Sequence, residues 1–319
     1  MNETARSSPN QQTLRVGYLG PAGTFTEQAL LTQTDLASAE LVMFRRIPQV
    51  LAAVADGSID RGFVAIENAI EGTVNVTVDA LAFDLDVLIQ REVDMRIEMC
   101  LQAPAGTELA DLTRVISIPV ASAQCSRFLA EQLPDAEVEA AHSTAAAAEV
   151  VAKEADGRSA AIGPARSAEV YGLEILASGI EDHPENHTRF VTVARDGIPA
   201  PTGHDKTSLV IYQKANEPGS LMSILQEFAA RGINLSNLQS RPTKHRLGDY
   251  CFIVELEGHI TDRVVADCLR NLHMKQGGIK FLGSYPATGV GQEEIRQDVS
   301  ERGESADAWL ADLRSRVVD

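Results

Sequence analysis

Thr188-Arg189-Phe190 follows Asn186-His187 and opens straight into the alternating run Val191-Thr192-Val193. A hydroxyl at the start of a strand can donate or relay a hydrogen bond to a departing oxygen, although it is a feeble acid. Thr188 is equally an ordinary β-branched strand residue. The Arg189 guanidinium can grip a carboxylate through its fork, or make a structural ion pair in an acidic chain. On a strand, Thr188 and Arg189 point to opposite faces. Phe190 reads chiefly as core and is kept with the substrate-facing set. Asn68, at a strand end, and Gln124, on a helix, are uncharged donors; a turn role and a solvated helix face compete for them. Glu67 could serve as a general acid if burial raised its pKa, or it could cap a helix. Thr24, Ser143 and Thr144 stand at helix starts, where hydroxyls cap and backbone N–H groups attract anions. Ser117 ends a strand and is a further candidate contact. His183 and His187 lie four apart, but Pro184 between them argues against a helix, so no metal site is expected.

These residues need elements to hold them. Residues 14–19 form a strand that breaks at Gly20-Pro21-Ala22-Gly23 into a helix opened by Thr24 and Glu27, a strand–turn–helix signature. The glycines fall as GxxGxxG rather than GxGxxG, which disfavours a dinucleotide site. Further strand–helix units follow at 62–66 with a helix at 76–83, at 115–118 with a helix from 124 to 133, at 138–141 with a helix at 145–155, and at 159–162 with a helix at 165–171. Residues 87–102 alternate as one long strand or a pair crossing between two lobes. The expectation is an open α/β architecture whose ligand sits at the strand ends. There Thr24, Asn68, Ser117, Ser143, Thr144 and Thr188 converge on one cleft. After the Pro/Gly linker at 197–205, the order βαββαβ predicts a ferredoxin-like module. The tail from 287 is polar, with one amphipathic helix at 306–317 carrying Trp309, Leu313 and Val317.

The net charge of −17 argues against nucleic acid and anionic membrane as partners. No run reaches membrane-span length, and residues 1–13 carry no secretory leader. Cys100, Cys125, Cys251 and Cys268 form no CxxC pair, as expected for reduced thiols of a cytoplasmic protein.

Taken together, GPAGTFTEQA (20–29), IENAIEGTV (66–74), SIPVASAQC (117–125), STAAA after His142, IGPARSAEVYGL (162–173) and NHTRF resemble the prephenate dehydratase family. PGSL (218–221), GINL (232–235) and QSRP (239–242) resemble an ACT domain. The resemblance spans about 14–286. It implies a two-lobed, periplasmic-binding-protein-like catalytic domain over 14–196, with lobe 1 at 14–93 plus 190–196 and lobe 2 at 94–189. An ACT regulatory domain would span 206–286 and a polar tail 287–319. The implied reaction turns prephenate into phenylpyruvate, CO2 and water, without metal or organic cofactor. Thr188 would be the essential hydroxyl, with Asn68, Gln124 and Glu67 beside it. L-phenylalanine would be the effector, held between ACT modules of a homodimer or homotetramer by Gly219, Ser220, Leu221, Asn234 and Leu235. No chorismate mutase bundle is expected before Leu14, and removing 206–319 is expected to leave a soluble, active, phenylalanine-insensitive domain. Three positions depart from the family: Ala69 and Ile118 stand where it has a serine and a histidine, and Gln239 where it has an acid. An arogenate dehydratase and a non-catalytic aromatic-acid sensor remain alternatives.

Overall fold

The computed structural model describes residues 13–213, 217–243, 249–288 and 308–316. The chain opens with β1 (Arg15–Leu19), α1 (Phe25–Leu31), α2 (Thr34–Ala37), β2 (Glu40–Phe44), α3 (Ile47–Ala55), β3 (Arg61–Asn68), β4 (Gly72–Thr73), α4 (Asn75–Asp79) and β5 (Leu88–Arg96). The Thr24 hydroxyl accepts the Glu27 amide and so caps α1, satisfying a donor with no partner inside the helix. Pro48 sits in the first turn of α3, where its missing N–H costs nothing. A π-turn at Ala80–Asp84 occupies the second half of the helix expected at 76–83.

A second series follows: β6 (Cys100–Ala103), β7 (Arg114–Ser117), α5 (Pro119–Ala123), α6 (Ser126–Gln132), β8 (Glu137–Ala140), α7 (Thr144–Glu154), β9 (Ser159–Gly163), α8 (Ala165–Tyr171) and β10 (Glu174–Ser178). Residues 87–102 are thus two strands in two sheets. β11 (His187–Ala194) then returns to the first sheet, which runs β2-β1-β3-β11-β5. In it β1, β2 and β3 are parallel, and β11 is antiparallel to both its neighbours. The second sheet runs β10-β6-β9-β7-β8. Strands β2 and β10 were not anticipated, because half-exposed edge strands carry little apolar periodicity.

The third unit is β12 (Asp205–Tyr212), α9 (Ser220–Ala229), β13 (Leu235–Pro242), β14 (Tyr250–Glu257), α10 (Arg263–Lys275) and β15 (Gly278–Pro286). Its antiparallel order β13-β14-β12-β15 is the ferredoxin-like arrangement expected. One face packs under α9 and α10. The other carries Val210, Ile253, Leu282 and Tyr285 into a core shared with Ile66, Leu81, Ile89 and Val191 of the first unit. The linker therefore joins two units that share a core. Of the tail, 287–288 and 308–316 are described; the second stretch is helical and exposed, with Trp309 at 62% exposure, and Val317 lies outside the described residues.

Gly283 is where the shared core is tightest. Its φ is +144°, and a Cβ there would stand 2.4 Å from the Ile89 carbonyl oxygen. Gly283→Ala combines a clash with backbone strain, for an expected loss of about 2–4 kcal/mol. A urea midpoint within error of wild type would contradict this close packing.

Candidate active site

Cross-strand pairing decides which side chains meet. Thr188 pairs with Asn68, and Arg189 with Glu67. Paired residues share a face of a sheet, and successive residues alternate. Thr188 and Asn68 face the cleft between the first two sheets, whereas Arg189 and Glu67 face the third. Phe190, two residues beyond Thr188, shares its face, and a bulge that leaves Ile66 of β3 unpaired brings Ala65 opposite Phe190 at the cleft wall.

The cleft has a volume of about 210 Å³. Its polar wall is a directional chain of hydrogen bonds. Asn68 Oδ1 accepts the backbone amides of Ile70 (3.0 Å) and Glu71 (2.9 Å), so that end of the amide must be the oxygen. Asn68 Nδ2 therefore donates, to Thr188 Oγ1 (2.8 Å), to Asn186 Oδ1 (2.9 Å) and to the His187 carbonyl (3.2 Å). Asn186 Nδ2 donates to Gln124 Oε1 (3.1 Å), and Gln124 Nε2 to Glu71 Oε1 (3.2 Å). Thr188 Oγ1 is an acceptor in this chain, which leaves its own proton to be given elsewhere.

The rest of the wall is largely apolar, including Phe25, Ile97, Met99, Ile118, Val120 and Phe190. Phe190 is buried and stacks on Phe63 at 5.3 Å between ring centres, so it is both core and wall. Among the described residues no Lys or Arg lines the cleft. Partial positive charge comes instead from the starts of α1 and α7, whose first residues, Phe25 and Thr144, line the wall, because aligned peptide dipoles leave it there.

Thr188, Asn68, Gln124, Thr144 and Phe190 thus come together as expected. The others do not. Glu67 is corrected from cleft acid to partner of Arg189, whose Nη2 lies 3.2 Å away on the opposite face of the strand. Arg189 is corrected from substrate anchor to structural ion pair. Its Nη1 and Nη2 donate to Glu255 at 2.7 and 2.8 Å, and Nη1 also to Glu92 at 3.1 Å. Ser117 is fully buried and donates to the Ile162 carbonyl at 2.8 Å. Thr24 and Ser143 act as caps with their oxygens engaged by Glu27 and Ala146 amides. Three polar wall residues were missed: Thr26, Glu71, four positions beyond Glu67 in the same motif, and Asn186. The backbone amide of Glu71 bonding Asn68 has no sequence signal, since it depends on the tight turn into β4. His187 pairs with Asp94 at 3.0 Å, and His183 with Glu185 at 3.3 Å. Burial pushes the Cys100 and Cys125 thiols up to about 11 and about 12, so both stay protonated at neutral pH.

Behind the cleft, Arg189, Glu92, Glu255 and Lys206 form a buried cluster. Burial opposes charge on Arg189, yet the Glu255 and Glu92 carboxylates outweigh it and its pKa is raised. Burial also opposes charge on Glu92, but Lys206, the Thr288 amide and Arg189 hold it below its ordinary 4.5. A lowered folded pKa stabilises above the unfolded value and is lost as pH falls through the folded one. The advantage of wild type over Glu92→Gln in thermal midpoint should therefore shrink below pH 4.5. A constant gap from pH 7 to pH 3 would contradict that.

Among the effector candidates, Gly219 holds φ +89° before Ser220 and Leu221 at the start of α9. Asn234, which donates to Glu257 at 2.9 Å, and Leu235 lie beyond its other end. Eight helical residues, 222–229, separate the two groups by about 12 Å, so one chain does not gather them.

Prephenate dehydratase is the family whose description matches residues 16–198, and the ACT domain matches 207–273. The chain is 40% identical to a prephenate dehydratase of Mycolicibacterium gilvum, over 94% of this chain and 98% of that one. It resembles the crystal structure of prephenate dehydratase in complex with L-Phe from Arthrobacter aurescens, with a TM-score of 0.81 and 37% identity, covering 93% of this chain and all of that one. It also resembles GqqA, described as a novel type of quorum quenching acylase, with a TM-score of 0.76 and 28% identity over 86% of this chain and 98% of that one.

Proposed function

The chain belongs to the prephenate dehydratase family, and on that premise we propose that its cleft converts prephenate to phenylpyruvate, CO2 and water. The observation that carries the reading is the polarity of the Asn68 amide. Its oxygen is committed to two backbone N–H groups, so its nitrogen must donate to Thr188 and the Thr188 proton is free to turn to the substrate. The C–O bond to the ring hydroxyl breaks as the ring carboxylate leaves as CO2, and the pair from the broken C–C bond enters the ring. One proton taken up from solvent converts the departing hydroxide into water. Thr188 donates the hydrogen bond that eases this departure, and Asn68 holds its oxygen in place. The apolar wall leaves the departing carboxylate poorly solvated, and the helix starts receive the pyruvyl carboxylate. Nothing in this scheme calls for a cofactor.

Amide-bond hydrolysis, as the likeness to an acylase would suggest, needs an activated nucleophile and a base. Among the described residues no His, Lys or Cys lines the cleft; its carboxylate, Glu71, is bonded by Gln124 and the Thr188 hydroxyl by Asn68, so no base is paired with the hydroxyl and the dehydratase reading is preferred. The division we propose is a catalytic unit over 14–196 and an ACT regulatory unit over 206–286, with L-phenylalanine as effector. Since one chain separates the two halves of the effector set, a homodimer or homotetramer would complete it. Among the described residues no helix is long and apolar enough to cross a membrane, and the buried free cysteines suit a cytoplasmic protein.

Phenylpyruvate release, read by its absorbance in alkali, tests the reading with and without L-phenylalanine. Turnover that falls as L-phenylalanine rises is expected. No turnover of prephenate would refute the enzyme reading, and a higher kcat/KM on arogenate would reassign the substrate.

A further inference from the structure

The two motifs singled out in separate units, NHTRF and QSRP, meet at one place. A cavity of about 20 Å³ lies between the units, lined by Glu67 and Arg189 on one side and by Asn237, Gln239 and Glu255 on the other. Arg189 is the link. Thr188 precedes it on β11 and faces the cleft; Arg189 faces the ACT sheet and is held there by both Glu255 oxygens. Glu255 lies on β14, the strand paired with β13, which carries Gln239. Two further bonds fasten the same spot. Lys206 of β12 donates to Glu92 of β5 at 2.9 Å, and the Thr288 hydroxyl donates to Glu92 at 3.0 Å. β5 and β3 are the two strands that flank β11. QSRP also reaches the catalytic unit directly, since Arg241 donates to Asn75 and lies 3.7 Å from Asp79.

We propose that Arg189 is a positioning residue for Thr188: its ion pair with Glu255 makes the ACT sheet the back support of the catalytic strand, and movement of that sheet is felt at the Thr188 hydroxyl. A β-strand can transmit such movement because one rigid peptide joins Thr188 to Arg189 and both residues are paired on either side with β3 and β5. A buried guanidinium held by several bonds tolerates few alternative placements. Among the described residues the cluster's side-chain bonds run to one another, to Glu67 and to the third unit and Thr288, so its effect on chemistry would run through the strand backbone. This rests on the dehydratase reading, and it adds a route from the regulatory unit to the reacting group.

The test compares Glu255→Gln in two backgrounds, wild type and Thr188→Ala. In the wild-type background kcat on prephenate should fall about tenfold, with KM within about twofold. In the Thr188→Ala background Glu255→Gln should cost nothing further, because the hydroxyl it positions is gone. An equal fold loss in both backgrounds marks a merely structural role and overturns the proposal; so does no loss in either. L-phenylalanine should still bind Glu255→Gln by calorimetry but inhibit it less than wild type; unchanged inhibition counts against the route. A second readout does not depend on turnover. The Ala69 amide bonds the His187 carbonyl and the Ile97 amide bonds the Asn186 carbonyl. Both should exchange with deuterium faster in Glu255→Gln, while amides of β1 keep their wild-type rates. Uniform acceleration, or none, overturns the proposal. Failure of the dehydratase reading would show separately, as absent wild-type turnover. If Glu255→Gln does not fold, Arg189→Lys, which keeps the charge and loses the fork, takes the same measurements.

Discussion

Replacing Thr188 by alanine is expected to lower kcat on prephenate by about a hundredfold or more, the scale of losing one oriented donor to a departing oxygen. The fold should survive, because the lost groups are one hydroxyl and one methyl on a strand held by β3 and β5 on both sides. Asn68 would lose one acceptor but keep the Asn186 side chain and the His187 carbonyl. KM should change far less than kcat, since the hydroxyl acts on the departing oxygen and not on the carboxylates. Thr188→Ser, which keeps the hydroxyl and gains rotamer freedom, should recover much of the rate. A Thr188→Ala protein with near-native kcat would remove this hydroxyl from the mechanism.

Removal of residues 206–319 is expected to leave a catalytic unit that is poorly soluble and largely inactive, the reverse of the soluble, active domain expected from the sequence. The shared core explains the reversal. Without Val210, Ile253, Leu282 and Tyr285, the side chains of Ile66, Leu81 and Ile89 lose their cover. Burial of each large apolar side chain stabilises by about 1.5–3 kcal/mol, so the sum rivals the ~5–15 kcal/mol net stability of a domain. Glu92, fully buried, would lose Lys206, and Arg189 would lose Glu255. Removing one partner of a buried pair costs about 3–5 kcal/mol. Size-exclusion chromatography and thermal unfolding check this; a monodisperse, cooperatively folding fragment with near-native turnover would refute it.

Much of the architecture was legible. The strand–turn–helix units at 14–31 and 159–171, the crossing at 87–102 and the βαββαβ order after 205 all follow from periodicity and turn residues, which are local properties of the chain. The edge strands β2 and β10 were not legible, because half-exposed strands look like loops. The motifs carried the family, and they carried Thr188, Asn68 and Gln124 to the cleft.

The adjacency of Thr188 and Arg189 was in the sequence, and so was the rule that they face opposite ways. What lay on Arg189's side was not. A guanidinium pairs with whichever carboxylate the fold presents, and Glu255 comes from a strand 66 residues away. The choice of Glu71 over Glu67 as the cleft acid has the same origin. Both lie in one motif, but the pairing of Glu67 with Arg189 and the turn into β4 send them to opposite faces. Local chemistry determined which residue types were available and where strands and helices begin. Only the tertiary structure decided which face each strand presents to which neighbour, because that depends on register and on contacts between segments far apart in the chain.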